Sequence, residues 1–248
     1  MKTNIIGHKI ISLDEISSTN EYAIRVTKEH IIDDGTVVWA QYQADGKGYA
    51  GNTWFSSKGK NLTFSIILKP EFLKPVDQFY ISKIVALSVK EFLELYLQNV
   101  SIKWPNDIYS DSAKIAGILI ENTFIGQKFQ YSITGIGINV NQISFPDNIP
   151  NPSSIGKITG QSFELNECLN LFCEIMDRNY ITLKEGNFTL TDYNYINNLF
   201  QLGEIKEYLT PSGRIMAKIT EVKKTGEIVL RNMEGNENLY GFKEIQYL

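Results

Sequence analysis

Lys103, Asn106, Asp107 and, a little further on, Lys114 have the types and spacing to hold anions and to move a proton. Ammonium groups neutralise phosphate and carboxylate oxygens, an amide donates and accepts, and a carboxylate can take a proton from an attacking amine. Pro105 cannot donate to a sheet ladder and forces Trp104 into extended backbone, so a strand must end there in a tight corner. Trp104 and Tyr109 stand as walls on either side of that corner. The same letters also spell a Pro-Asn-Asp turn in which Asp107 bonds its own backbone, and on turn statistics alone that is the stronger reading. Lys103 likewise has a bland alternative, burial with its stem along Trp104.

A second stretch able to do chemistry is Gly46-Lys47-Gly48-Tyr49-Ala50-Gly51. By its letters it contains G-x-G-x-x-G after a strand over 36–42. A dinucleotide fingerprint needs a helix to begin at the glycines, whereas Asn52-Thr53-Trp54-Phe55-Ser56-Ser57 continues as loop, so that reading is rejected. What remains is a flexible glycine loop with one cation and one aromatic ring, able to close over an anionic ligand and exclude water. A long mobile hairpin connection is the alternative. Earlier in the chain, Ser17-Ser18-Thr19-Asn20 reads as the N-cap of a helix running to about residue 30. Capping and ligand contact are compatible there, since one residue can cap while its neighbours face a pocket.

These groups need elements to position them. Strands are expected over 9–13, 36–42 and 61–68, and a hairpin over 114–124 and 129–140. The clearest helix spans about 76–98, with Ile81, Ile84, Val85, Val89, Phe92, Leu93 and Tyr96 at helical spacing; this stripe is core. Further helices are expected at about 166–184 and 191–200. Near residue 203 the apolar period changes to two, predicting short strands over 204–209, 214–222, 227–231 and 237–242 with Gly-containing turns between them. A tail this small cannot be trusted with an independent core, so it should dock on the rest. Two domains are read, 1–200 and 201–248.

The chain of 248 residues is 43% hydrophobic and 21% charged with a net charge of -4, ordinary material for a folded soluble protein. Scattered lysines on an acidic balance disfavour nucleic-acid binding. The absence of an apolar run suited to a signal peptide or membrane span points to a cytoplasmic protein with no membrane partner. Cys168 and Cys173 on one helix are separated by about 7.5 Å of rise, beyond the reach of a disulfide, and read as core thiols. His8 and His30 are too far apart in sequence to complete a Cys/His metal set.

Read whole, Lys103-Trp104-Pro105-Asn106-Asp107-Ile108-Tyr109 followed by Lys114-Ile115-Ala116-Gly117 resembles the signature of biotin protein ligases, which adenylate biotin and attach it to one lysine of a carrier domain. Ser18-Thr19-Asn20, the glycine loop from Gln43 to Trp54, Gly59-Lys60-Asn61-Leu62 and Gly135-Ile136-Gly137-Ile138-Asn139 follow the family's order, and the resemblance covers nearly the whole chain. It implies an α+β fold: a class II synthetase-like mixed sheet flanked by helices, with a small C-terminal SH3-like β-barrel. No winged helix-turn-helix precedes the first strand, which argues for the monofunctional class.

The resemblance implies catalytic roles for Lys114, Asp107 and Lys47, with Lys114 beside the biotin carboxylate and the bridging phosphate oxygen. Biotin would meet Ser18, Thr19, Asn20, Gln43, Gly46, Lys114 and Gly117. The nucleotide would meet Lys47, Gly48, Tyr49, Trp54, Lys103, Asn106 and Asn139. ATP and Mg²⁺ are implied as a substrate complex, with no metal ligand supplied directly by the protein. The implied partner is a biotin carboxyl carrier protein or domain of a biotin-dependent carboxylase, and a homodimer stands open beside a monomer. The family's loop is usually Gly-Arg-Gly-Arg-x-Gly, and here Lys47 and Tyr49 stand at the arginines, giving a point charge and no charge in place of two bidentate forks. Two alternatives remain: a lipoate or octanoate transferase of the same fold, and a non-catalytic biotin-binding sensor.

Overall fold

The computed structural model describes residues 3–248, apart from the Ala50 side chain; Met1 and Lys2, which open the polar N-terminal stretch, lie outside the described residues. Seven strands form one sheet: β1 (Ile10–Ile16), β2 (Thr36–Gln43), β3 (Leu62–Leu68), β4 (Val100–Lys103), β5 (Asp107–Ser110), β6 (Ala113–Ile125) and β7 (Lys128–Ile138). Their order is β1-β2-β3-β7-β6-β5-β4, with β1 parallel to β2 and every other pair antiparallel. Helix α1 (Thr19–Glu29) lies on one face, packing Ala23 and Val26 with Val38, Ile67 and Ile133. Helices α2 (Phe79–Glu94), α4 (Leu165–Lys184) and α5 (Phe188–Asn197) cover the other, and a one-turn helix α3 (Ile155–Thr159) follows the loop after β7.

Helix α2 is shorter at both ends than its apolar period predicts. Pro75 opens a separate 3₁₀ turn, Pro75–Asp77, before it. After Glu94 the chain tightens, with Leu95 N–H bonded to Phe92 O and Tyr96 N–H to Leu93 O, and Asn99 then turns left-handed. The expected stripe Ile81, Ile84, Val85, Val89, Phe92 and Leu93 is buried against the sheet. Each such side chain contributes about 1.5–3 kcal/mol of transfer free energy. Lys83 and Tyr80 reach Asp192 of α5 at 2.6 and 2.8 Å, clasping the two helices. Asp177 of α4 accepts the N–H groups of Asn4, Ile5 and Ile6, each at 2.8 Å, and so pins the start of the chain.

The last strands are β8 (Lys206–Thr210), β9 (Gly213–Val222), β10 (Ile228–Asn232), β11 (Glu237–Tyr240) and β12 (Gln246–Tyr247). They form an antiparallel sheet in the order β11-β10-β9-β8-β12, adding β12 to the strands expected from the period of two. Tyr208, Ala217, Ile219, Ile228 and Leu230 join the same apolar cluster as α2 and α4, so this small sheet docks as expected. Two polar contacts at the β9–β10 turn fix the docking: Trp104 Nε1–H donates to Gly226 O at 2.9 Å, and Lys224 meets Asp77 at 2.5 Å. Cys168 and Cys173 are free and buried.

Candidate active site

A solvent-open cleft of about 450 Å³ lies on the α1 face of the sheet, over β6 and β7. Its floor is glycine because nothing larger fits. A Cβ on Gly137 would lie 2.2 Å from Trp54 Cε2, one on Gly117 2.8 Å from Trp54 Cζ3, and one on Gly135 2.4 Å from Asn20 Oδ1. Gly117 and Gly137 are direct partners across β6 and β7, so the Trp54 indole lies flat on a bare patch of backbone.

One end of the cleft is a polar rosette built by four elements, α1, β2, β3 and β6. Ser18 is the N-cap residue of α1, but its hydroxyl makes no capping bond. Gln43, at the end of β2, caps instead: its Oε1 accepts from Thr19 N at 2.7 Å and from Thr19 Oγ1 at 3.0 Å. The helix thus begins within the Ser17–Asn20 cluster, as that N-cap signal predicts, but the capping oxygen is supplied by a neighbouring strand. Asn20 donates to Glu121 at 2.8 Å and to Leu119 O at 3.2 Å, and its Oδ1 lies 2.6 Å from Ser65 Oγ.

The other end is charged. The chain turns at Trp104, Pro105 and Asn106, with a cis Trp104–Pro105 bond, and β5 begins at Asp107. Asn106 holds this corner to β6, accepting from Ile118 N at 2.9 Å and donating through Nδ2 to Ile118 O at 3.0 Å. Asp107 Oδ1 meets Lys114 Nζ at 2.7 Å, both side chains about a quarter exposed. The Lys114 ammonium also stands 5.8 Å from the centre of the Trp54 ring. Its backbone is clamped by the 151–153 loop, through Lys114 N–H to Asn151 O at 2.8 Å and Ser153 N–H to Lys114 O at 3.0 Å.

The glycine loop crosses the mouth. Trp54 N–H donates to Gly46 O and Gly48 N–H to Asn52 O, both at 2.7 Å, closing a narrow hairpin around a 3₁₀ turn, Tyr49–Gly51. No longer helix starts at these glycines, in keeping with the rejected dinucleotide reading. A side chain on Gly46 would meet Trp54 O at 2.5 Å. Lys47 pairs with Glu21 in the first turn of α1, and this pairing holds the Glu21 carboxyl below the ordinary range.

The structure thus gathers Ser18, Thr19, Asn20, Gln43, Lys47, Gly48, Tyr49, Trp54, Asn106, Asp107, Lys114 and Gly117 around one cleft, with Gly46 buried at the loop's base. Lys103 and Asn139 do not line it. Lys103 shares a sheet face with Asp107, but its ammonium turns into rings, 4.7 Å from the centres of Tyr109 and Tyr247 and 5.6 Å from Phe200. Burial there pushes its pKa below the usual lysine range, and the ring faces offset the desolvation. Asn139 follows the last residue of β7 and donates to Ser153 O at 2.9 Å, while its Oδ1 is buried without a partner. Among the described residues no group of three or more His, Cys, Asp or Glu could hold a metal ion.

Motif reading names Gly135 and Gly137 only through the family's order and assigns them no contact, and it does not reach Ser65 beneath Asn20 or Glu121 behind it. A signal for them exists. Thr63 and Ser65 are polar at alternate positions of an otherwise apolar strand, and Gly135 and Gly137 share that period, so one face of the sheet reads as small and polar.

Residues 13–139 match the Biotin/lipoate A/B protein ligase family, and the chain belongs to it. Within that class its relatives are biotin ligases. The bifunctional ligase/repressor BirA of Bacillus spizizenii is 28% identical over 245 residues, covering 97% of this chain and 74% of that protein. The biotin--[acetyl-CoA-carboxylase] ligase of Paracoccus denitrificans is 25% identical, covering 91% and 95%. The structure of the biotin protein ligase from Aquifex aeolicus in complex with biotin and ATP superimposes with a TM-score of 0.79 at 29% identity, covering 96% and 98% of the two chains.

Proposed function

We propose that the chain is a biotin protein ligase: it joins biotin to AMP at the expense of ATP, releases pyrophosphate, and passes the biotinoyl group to a lysine of a biotin carboxyl carrier domain. The observation that carries this reading is the Lys114–Asp107 pair at one end of a cleft whose other end is the Asn20–Thr19–Gln43 rosette. Amide and hydroxyl groups suit the ureido ring of biotin, and a cation suits its carboxylate.

In the first half-reaction a biotin carboxylate oxygen attacks the α-phosphorus and pyrophosphate departs. Lys114 and Lys47 supply the positive charge that lets two anions approach in line. Trp54 presents an apolar ring toward the adenosine side. The partnerless Oδ1 of Asn139 is an acceptor suited to the adenine amino group, though it stands back from the cleft walls. Mg²⁺ would enter as part of the nucleotide substrate, carried on its phosphates.

In the second half-reaction the carrier lysine, with a free pKa of about 10.4, attacks the anhydride carbon and AMP departs. Once Lys114 has turned to the phosphate, Asp107 is free to orient the amine and take its proton. Lys103, held among rings, contacts neither substrate in this reading. Free buried thiols and the absence, among the described residues, of any helix long and apolar enough to cross a membrane fit a cytoplasmic enzyme.

The test is exchange of labelled pyrophosphate into ATP, run with biotin and separately with lipoate or octanoate. Exchange supported by biotin alone is expected. Exchange supported only by lipoate or octanoate transfers the assignment to the lipoate branch of the family, and biotin binding without exchange makes the chain a sensor.

A further inference from the structure

Tyr49 stands where the family's loop usually carries its second arginine, and its ring points at the small C-terminal sheet. It meets Phe242 edge-on, with centroids 6.2 Å apart and planes at 88°. Phe242 follows β11 and is itself wedged between Trp104 at 5.4 Å and Phe79 at 5.9 Å. Lys243, which has a left-handed backbone (φ 72°), places its ammonium 5.9 Å from the centre of the Tyr49 ring. Burial raises the Tyr49 hydroxyl above the ordinary tyrosine range, in keeping with a ring packed on protein. At the other side of the same hairpin, Lys47 is tied to Glu21 of α1.

The two residues that replace the arginines are thus both engaged with protein groups, one on each bank of the cleft. We propose that Phe242, assisted by Lys243, is a positioning residue that acts through Tyr49 to hold the glycine loop across the cleft before any substrate binds. The Lys47–Glu21 pair is solvent-exposed, and such pairs contribute little, so the ring contact is the stronger of the two anchors. The C-terminal 48 residues thereby reach the reaction through Phe242 and Lys243. On the ligase reading, the consequence is retention of biotinoyl-adenylate by a seal that does not depend on arginine forks.

The experiment is limited trypsinolysis of the full chain without ligands, reading cleavage after Lys47 by mass, because cleavage tracks the open population of the loop. Losing one edge-to-face ring pair should speed that cleavage about threefold to tenfold. This increase is expected in Tyr49→Ala and Phe242→Ala, with wild-type rates in Tyr49→Phe. The Tyr49→Ala, Phe242→Ala double variant should be cut no faster than the faster single variant, because both remove one contact. Phe242 also packs on Trp104, so if its variant fails to fold, Tyr49→Ala against Tyr49→Phe carries the test. Wild-type cleavage in Tyr49→Ala, or equal acceleration in Tyr49→Phe, overturns the proposal. The same variants loaded with biotinoyl-adenylate should lose it faster in the same order. If the wild type forms no adenylate, the ligase reading fails while the proteolysis result still decides the loop.

Discussion

Lys114 and Asp107 neutralise each other at 2.7 Å on the rim of a pocket for two anions, which makes their roles separable. On the proposed mechanism, Lys114→Ala removes the charge that meets carboxylate and phosphate, and pyrophosphate exchange should fall at least about a hundredfold. Asp107→Ala should leave exchange within a few-fold of wild type yet slow transfer from preformed adenylate to the carrier about a hundredfold or more. Single-turnover assays of each half-reaction check both, and equal losses in the two halves for Asp107→Ala would refute the division. Asn106 illustrates the limit of motif reading at this scale. It lines the cleft, but its Nδ2 and carbonyl are spent on Ile118, so its first task is to hold the corner.

Strands β6 and β7 form the floor, and their use of glycine follows from what lies on it. Gly137→Ala would drive a methyl carbon to 2.2 Å from Trp54. The indole sits on a loop and the strand backbone needs no positive φ at this position, so the ring should be displaced while the sheet survives. Pyrophosphate exchange should drop about tenfold or more through misplacement of the adenosine side, with thermal unfolding little changed. A lowered melting temperature with full activity in the survivors would point instead to a packing role. The same logic explains why β2 carries Gln43 at its end: α1 has no capping side chain of its own, and the neighbouring strand provides it.

The molecule is held as one body by the seam between the large sheet's helices and the small C-terminal sheet. Tyr109 and Tyr247 crowd this seam around Lys103 with Tyr208 packed on Tyr247, and the hydroxyls of Tyr195, Tyr208 and Tyr247 are buried without partners. Burial pushes the Tyr208 and Tyr109 hydroxyls up to about 12. A phenol that ionises less readily when folded contributes stability that is complete below its unfolded pKa of about 10 and is lost as pH rises toward the folded value. The melting temperature should therefore fall between about pH 10 and pH 12, and Tyr208→Phe should make that fall shallower. At pH 7 the same variant should melt at or slightly above the wild-type temperature, because no hydrogen bond is lost. A steep loss at pH 7 would show that the hydroxyl has a partner.

Most elements were legible in the chain because hydrophobic period is local: the core stripe of α2, the β6–β7 hairpin and the change of period near residue 203 all reappear within a few residues. The corner from Lys103 to Tyr109 was legible because proline and its neighbours restrict the backbone whatever surrounds them. Contacts between elements were not legible. Gln43 capping α1, Ser65 beneath Asn20, Trp54 lying on Gly117 and Gly137, and Tyr49 meeting Phe242 each join residues far apart in sequence. Lys103 shows the difference most plainly. Its motif names a cation, but whether that cation faced phosphate or aromatic rings depended on where Phe200 and Tyr247 came to rest, which packing settled and no local pattern records.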